Sequence, residues 1–135
     1  MSLIVWDDKL KLGIPSIDQQ HERLVNMLNG LHDAMSARHG NHVLASIVDE
    51  LLAYTAEHFS YEESLLKSYA YRNTTEHLGL HTELTRQVHD FADQIRSGRV
   101  GLSPSVLSFL THWLTGHICT EDEKYVRFLM AKGVR

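Results

Sequence analysis

Residues 44–65 read LASIVDELLAYTAEHFSYEESL, and their spacing predicts a long helix with one apolar face. Apolar side chains recur along this stretch at steps of three and four residues, which is the period of one face of an α-helix. The same face also carries His58 and Glu62, which are four residues apart and therefore point the same way. A histidine and a carboxylate that face a core need a partner, and a metal ion is one candidate.

Three further stripes with the same period predict three more helices. They run from Ile17 to Met35, from His77 to Ile95 and from Val106 to Leu129. Short breaks separate the four stripes, at 38–41 (RHGN), 67–73 (KSYAYRN) and 97–104 (SGRVGLSP). Short connections make neighbouring helices antiparallel. The predicted fold is therefore all-α, an antiparallel up-down-up-down four-helix bundle with an extended N-terminal arm.

The whole chain, residues 1–135, is expected to form a single domain, with the arm over 1–16 and the bundle over about 17–132. Four apolar residues of the arm are expected to pack on the bundle: Trp6, Leu10, Leu12 and Ile14. Gly40 is expected to end the first helix in a left-handed conformation. Asn73 is expected to cap the third helix, and Ser103 with Pro104 to begin the fourth.

Composition narrows the classes of function. The formal net charge is -4, and no basic run is interleaved with aromatic residues, so nucleic acid is not an expected partner. No apolar run approaches the roughly 18 residues that a membrane span requires, and no signal peptide is recognisable. The one cysteine, Cys119, has no partner for an internal disulfide. We expect a cytoplasmic monomer, with a further protein partner left open.

The histidines of the four stripes are expected to converge at one height in the bundle. Residues equally far from a turn lie at equal height in antiparallel helices, because each residue advances a helix by about 1.5 Å. His21 and His58 are each about 18 to 19 residues from a turn near residue 40. The same count aligns the remaining members of the set, so that six side chains share one inward-facing slab: His21, His58, Glu62, His77, His81 and His117.

Such a slab predicts a metal site, because buried imidazoles and carboxylates without a partner are costly. Four ligands would suit one tetrahedral zinc, whereas six or more nitrogen and oxygen ligands favour two carboxylate-bridged metals. Imidazole with carboxylate is compatible with iron, zinc, copper or nickel, and iron is our first choice. A second carboxylate follows His117, where ideal helical spacing favours Glu121 over Asp122.

Four segments together resemble the hemerythrin family, specifically its single-domain bacterial members. They are an N-terminal segment that begins at Trp6 and ends with GIPSIDQQH at 13–21, then HFSYEE at 58–63, HLGLH at 77–81, and HICTED at 117–122 followed by Tyr125. The resemblance implies a four-helix bundle with a non-haem diiron centre, bridged by an oxo or hydroxo group, that binds O₂ reversibly. It implies that His77, His81 and His117 hold one iron, that His21 and His58 hold the other, and that Glu62 and Asp122 bridge the two.

The resemblance selects Asp122 over Glu121, and this choice carries a structural expectation. A residue five positions after His117 reaches the same face only if the helix widens locally, so we predict a π-type bulge over 117–122. By resemblance, Trp113 and Leu114 would line the O₂ pocket. Asp18 is a candidate acceptor for an imidazole proton, with a helix N-cap as the alternative.

The remaining polar residues are expected to lie away from the site. Five other histidines are expected at the surface: His32, His39, His42, His89 and His112. Glu63 is expected to face solvent or another helix, and Cys119 is expected to be a buried inert thiol.

Four functions are compatible with such a site. Oxygen storage or delivery comes first, and the chain is then not an enzyme. The alternatives are an O₂ or redox sensor that acts through a partner, a diiron enzyme acting on peroxide or nitric oxide, and a structural metal bundle. The short tail after the last helix disfavours a sensor, and the excess of histidine over carboxylate disfavours an oxygenase.

Overall fold

The computed structural model describes residues 4–38, 40–97 and 104–135. Four antiparallel helical rods make up the bundle. Three are single helices, α1 (Pro15–Ser36), α2 (Asn41–Ser68) and α3 (Thr74–Arg96); the fourth is α4 (Pro104–Gly116), a π-helical segment (His117–Asp122) and α5 (Glu123–Ala131). Helix α2 packs against α1 and α3, and α4 packs against the same two, which closes the ring. The described residues contain no strand, and the predicted all-α bundle is confirmed.

The apolar core is divided into two layers along the bundle axis. The larger layer includes Leu24 and Phe59, and the smaller one includes Ile17 and Leu66. Along α1 the buried His21 lies between Ile17 and Leu24, and along α2 the buried Glu62 lies between Phe59 and Leu66. They therefore occupy a slab that is closed by apolar side chains at both ends, which keeps bulk water out of it.

The N-terminal arm packs on the bundle as the sequence predicted. Leu10 and Ile14 are buried, and Trp6 and Leu12 pack against the core. The carboxylate of Asp18 accepts hydrogen bonds from the backbone N–H groups of Leu12 (2.7 Å) and Gly13 (3.1 Å). Asp18 therefore secures the arm, and its predicted roles as a partner for an imidazole and as a helix N-cap are both wrong.

The turns differ from the sequence prediction at Gly40 and, in part, at Asn73. Gly40 has φ -70° and is the N-cap of α2, so its predicted left-handed conformation at the end of α1 is wrong. The left-handed residue there is Arg38, with φ 59°. Asn73 does occupy the N-cap position of α3, but its side chain makes no capping hydrogen bond. Pro104 begins α4, and Ser103 lies outside the described residues.

No helix in the described parts of the chain is both long enough and apolar enough to cross a bilayer.

The turn between α2 and α3 yields a stability prediction. Ala70 is exposed and has φ 54°, a conformation that costs a residue with a Cβ roughly 1–2 kcal/mol. We expect Ala70→Gly to raise the free energy of unfolding by about 1 kcal/mol, since glycine adopts positive φ without that cost. The matched control is Ala53→Gly, at an exposed position inside α2, which should lower the same quantity by about 1 kcal/mol. Urea denaturation at equal metal content measures both, and a destabilised Ala70→Gly variant would contradict the prediction.

Candidate metal centre

Seven buried side chains with ligand atoms meet in the polar slab. They are His21 from α1, His58 and Glu62 from α2, His77 and His81 from α3, and His117 and Asp122 from the π-helical segment. None exposes more than 7% of its surface. The convergence predicted from the distances to the turns is therefore present, and Asp122 completes the set.

The seven side chains form two overlapping groups of potential ligands. One contains Glu62, His77, His81, His117 and Asp122, and the other contains His21, His58, Glu62 and Asp122. Within each group the ligand atoms lie within 4.8 Å of one another. We call these the three-histidine half and the two-histidine half of the site. Both carboxylates belong to both halves.

Each carboxylate turns one oxygen toward each half. Oδ1 of Asp122 lies 2.9 Å from Nε2 of His117 and 3.2 Å from Nε2 of His77, whereas its Oδ2 lies 3.0 Å from Nε2 of His21. Oε1 of Glu62 lies 3.5 Å from Nε2 of His77, and its Oε2 lies against Nε2 of His58. This is the disposition that two carboxylates need to bridge a pair of metals.

A widened turn of helix brings Asp122 into the site. Residues His117–Asp122 form a π-helix, so the predicted bulge is confirmed. In a regular α-helix a residue five positions on lies about 140° around the axis. The wider π turn returns Asp122 to the face of His117, and Asp122 is fully buried. Glu121 instead pairs at the surface with Lys124, at 3.0 Å, so the choice from ideal spacing alone is wrong.

The buried ligand atoms lack other partners, which tests whether a metal fits. Apart from their close contacts with one another, no hydrogen-bond partner is available to Nε2 of His21, His58 and His77, to Oε2 of Glu62, or to either oxygen of Asp122. Nε2 of His81 lies only 3.1 Å from Nε2 of His117. With metal–ligand bonds of about 2.1 Å, adjacent ligands of an octahedral metal stand about 3.0 Å apart. The donor set and its spacing therefore fit cations, and imidazole with carboxylate is compatible with iron as well as with zinc, copper or nickel.

The electrostatics of the cluster also favour a cation. Burial lowers the pKa of His21 and of His77, but Asp122 and Glu62 outweigh burial and raise both to about 9. Burial and Glu62 raise the pKa of Asp122, but hydrogen bonds with His117, His21 and His77 bring it down to about 2. These shifts all favour positive charge beside the two buried carboxylates. A metal cation held by these residues would supply that charge.

Contacts behind the ligands hold three of them in place. Nδ1 of His58 donates to Oε1 of Gln20 (2.6 Å), and Nδ1 of His81 donates to Oε2 of Glu63 (2.9 Å). These bonds leave the lone pair on Nε2, which faces the site. The hydroxyl of Tyr125 donates to Oε1 of Glu62 (2.8 Å).

Sequence reasoning missed two of these supporting residues. Gln20 was assigned no role. Glu63 was expected to face solvent or another helix, and it does face α3, but its hydrogen bond to the ligand His81 was not predicted. Each lies directly beside a ligand in sequence, so its side chain leaves the helix toward a neighbouring helix. The periodic pattern identifies only residues that face the core, so it does not predict hydrogen bonds made by side chains that point toward a neighbouring helix.

A small cavity adjoins the two-histidine half. Its volume is about 10 Å³, near the minimum that admits one water-sized molecule. His21, His58 and His117 line one part of it, and the rest is lined by Leu24, Phe59, Trp113, Leu114 and Ile118. Trp113 and Leu114, named from the sequence as pocket residues, therefore do line a cavity at the site. That this cavity receives O₂ stays a prediction.

The other histidines lie away from the centre. His42, His89 and His112 are exposed, as predicted, and His32 is half-buried. His39 and the side chain of Cys119 lie outside the described residues.

Comparison with known proteins gives a consistent result along nearly the whole chain. The family profile described as the Hemerythrin HHE cation binding domain matches residues 12–129. Over 126 residues the chain is 34% identical to bacteriohemerythrin from Pseudomonas aeruginosa (strain LESB58), covering 93% of this chain and 81% of that one. It is 28% identical to bacteriohemerythrin from Clostridium acetobutylicum, over 92% and 99% of the two chains. The crystal structure of a wild-type hemerythrin superposes with a TM-score of 0.88 at 25% identity, covering 95% of this chain and 98% of that chain.

The contrast between the two neighbouring carboxylates generates a prediction. We expect Asp122→Ala to reduce the iron held per chain, because it removes one oxygen from each half of the site. Glu121→Ala is the matched control: it removes an adjacent carboxylate that faces Lys124, and it should leave the iron content unchanged. Iron quantification of both purified variants, with helicity checked by circular dichroism, decides the matter. Equal iron content in the two variants would show that Asp122 is not a ligand.

Proposed function

The chain belongs to the hemerythrin family, and from that premise we propose that it binds O₂ reversibly at a non-haem diiron centre, for oxygen storage or delivery. His77, His81 and His117 would hold one iron, His21 and His58 would hold the other, and Glu62 and Asp122 would bridge them. The observation that carries this assignment is the division of each carboxylate between the two halves of the site.

The two halves differ in a way that suits binding of a small molecule. Two ferrous ions, when bound, would donate electrons to O₂ as it binds and recover them when it is released. The three-histidine half has five potential ligands, whereas the two-histidine half has four. The cavity is lined by both histidines of the two-histidine half and by His117 of the other half, so space for a small molecule adjoins the half with fewer protein ligands.

The walls of the cavity would protect the bound state. Four of the eight lining residues, Leu24, Phe59, Leu114 and Ile118, offer no hydrogen-bonding groups, so water gains little from contact with this part of the wall. Exclusion of water and of stray protons limits irreversible oxidation of the centre. Reversible binding depends on this protection, which supports a carrier or store over a catalyst.

Two further features agree with a binding protein. The donor set has five imidazoles and two carboxylates, whereas ferritin-like di-iron proteins use more carboxylates, with Glu-x-x-His pairs. The relatives described above are named hemerythrin or bacteriohemerythrin, not for an enzymatic activity, which agrees with the expectation that the chain is not an enzyme.

We propose a monomer that acts in the cytoplasm. Five large apolar side chains are exposed in the described parts of the chain, and they lie on five different segments: Val5, Val43, Tyr69, Leu80 and Met130. Single exposed apolar residues are ordinary on a monomer. The one cysteine of the sequence provides no internal disulfide of the kind common in secreted proteins.

An optical experiment tests the proposed function. The purified protein is reduced without oxygen, exposed to air and then freed of oxygen again, with spectra and iron content recorded at each stage. We expect two irons per chain and a visible charge-transfer band that appears with air and disappears on removal of oxygen. Immediate irreversible oxidation would contradict a carrier, and the absence of iron would contradict the diiron centre.

The cavity wall generates a second prediction. Leu114→Ala should open the cavity, admit water and speed autoxidation several-fold, because Leu114 is buried and lines it. Leu110→Ala is the matched control, one turn earlier in α4, also buried but not among the lining residues. Autoxidation is followed as the decay of the visible band in air. Equal rates in the two variants would remove Leu114 from the protective wall.

A further inference from the structure

Two histidines of the centre donate the N–H that points away from the site to side chains of different charge. We call these two side chains anchors. Nδ1 of His58 donates to the amide oxygen of Gln20, and Nδ1 of His81 donates to the carboxylate of Glu63. By contrast, the Nδ1 atoms of His21 and His117 are buried without a partner. Each half of the site therefore has one such anchor, neutral in the two-histidine half and acidic in the three-histidine half.

Both anchors cross between helices. Gln20 reaches from α1 to His58 on α2, and Glu63 reaches from α2 to His81 on α3. Phe59 stacks on the ring of His81, with centroids 3.7 Å apart and planes inclined by 5°. The His81 ring is thus fixed by a hydrogen bond at its outer edge and by an aromatic face on one side. Such contacts hold Nε2 toward the metal position before any metal binds.

The charge of the anchor alters the donor strength of the ligand. A carboxylate that accepts the Nδ1 proton polarises the ring and makes Nε2 a stronger donor, and a neutral amide does so less. The Glu63 side chain is 26% exposed, so its charge is only partly screened by water. The more strongly donating imidazole therefore lies in the half that already has more ligands.

We propose that Glu63 and Gln20 are positioning residues that make the two metal sites unequal, with Glu63 tightening the three-histidine site and Gln20 leaving the two-histidine site weaker. This inference rests on the diiron function proposed above. The unequal pair has a consequence for function. The tightly held metal anchors the assembly, and the metal beside the cavity keeps the less saturated ligand set.

A chelator challenge of the iron-loaded protein tests the proposal. Protein loaded anaerobically with ferrous iron is exposed to increasing chelator, and the iron retained per chain is counted. We expect the parent to lose its iron in two separated steps, the weaker site first. Glu63→Ala should lower the iron affinity of the tighter, three-histidine site by about 10- to 100-fold, the usual effect of removing such a partner. The second release step then occurs at a correspondingly lower chelator concentration.

Conservative variants separate charge from hydrogen bonding. Glu63→Gln keeps an acceptor for Nδ1 of His81 but removes the charge. It should therefore lower the iron affinity of the three-histidine site by about tenfold, the lower end of that range. Gln20→Glu should raise the iron affinity of the two-histidine site and leave that of the three-histidine site unchanged. The control is Glu50→Gln, which removes an exposed charge elsewhere on α2 and should shift neither step.

The outcomes distinguish this inference from the function on which it rests. If the parent retains two irons but the Glu63 and Gln20 variants release them as the parent does, or shift both steps together, only the inference is overturned. If the parent never holds two irons, the diiron function is overturned and the inference with it. Circular dichroism of each loaded variant shows whether a lost step reflects unfolding.

Discussion

The rest of the structure depends on burying two carboxylates among five imidazoles at the centre of a helical bundle. Unpartnered charges are costly where water is excluded, and the cost falls only when each charge faces an opposite one. Here the two carboxylates raise the pKa of His21 and of His77, so the cluster favours positive charge, which metal cations would supply in the proposed state. The apolar layers above and below the slab make that requirement strict, because they close the routes by which water would otherwise solvate the cluster.

This requirement explains the one irregular stretch of helix in the described residues. A regular α-helix after His117 would present Glu121 to the centre and turn Asp122 away. The π turn reverses this order, so that Asp122 is buried and Glu121 pairs with Lys124 at the surface. The distorted helix is tolerated because it places the Asp122 carboxylate within 3.2 Å of three imidazoles, those of His21, His77 and His117, which lie on three different rods. An ideal helix would not bring Asp122 to these histidines.

Sequence reasoning recovered the parts of the site that follow from helical period and loop length. The stripes placed His21, His58, Glu62, His77, His81 and His117 at one height, and the fold followed from the same pattern. Ideal helix geometry did not predict Asp122 as a ligand, because a residue five positions after His117 lies on another face of a regular helix. Its prediction came from the resemblance to the hemerythrin family. The prediction for Gly40 was wrong because glycine also occurs at the first position of helices, as it does here at α2. The predictions for Asp18 were wrong because its carboxylate binds the backbone of the N-terminal arm. Gln20 was missed because its contact runs between helices, which a one-dimensional pattern does not report.

The central claim is that these seven side chains form two metal sites with shared carboxylates. It is tested most directly by anomalous diffraction at the iron edge, from crystals of the protein loaded anaerobically with ferrous iron. The account predicts two peaks per chain about 3.5–4 Å apart, one beside His77, His81 and His117 and one beside His21 and His58, with Glu62 and Asp122 between them. A single peak, or peaks outside this set of residues, would contradict it.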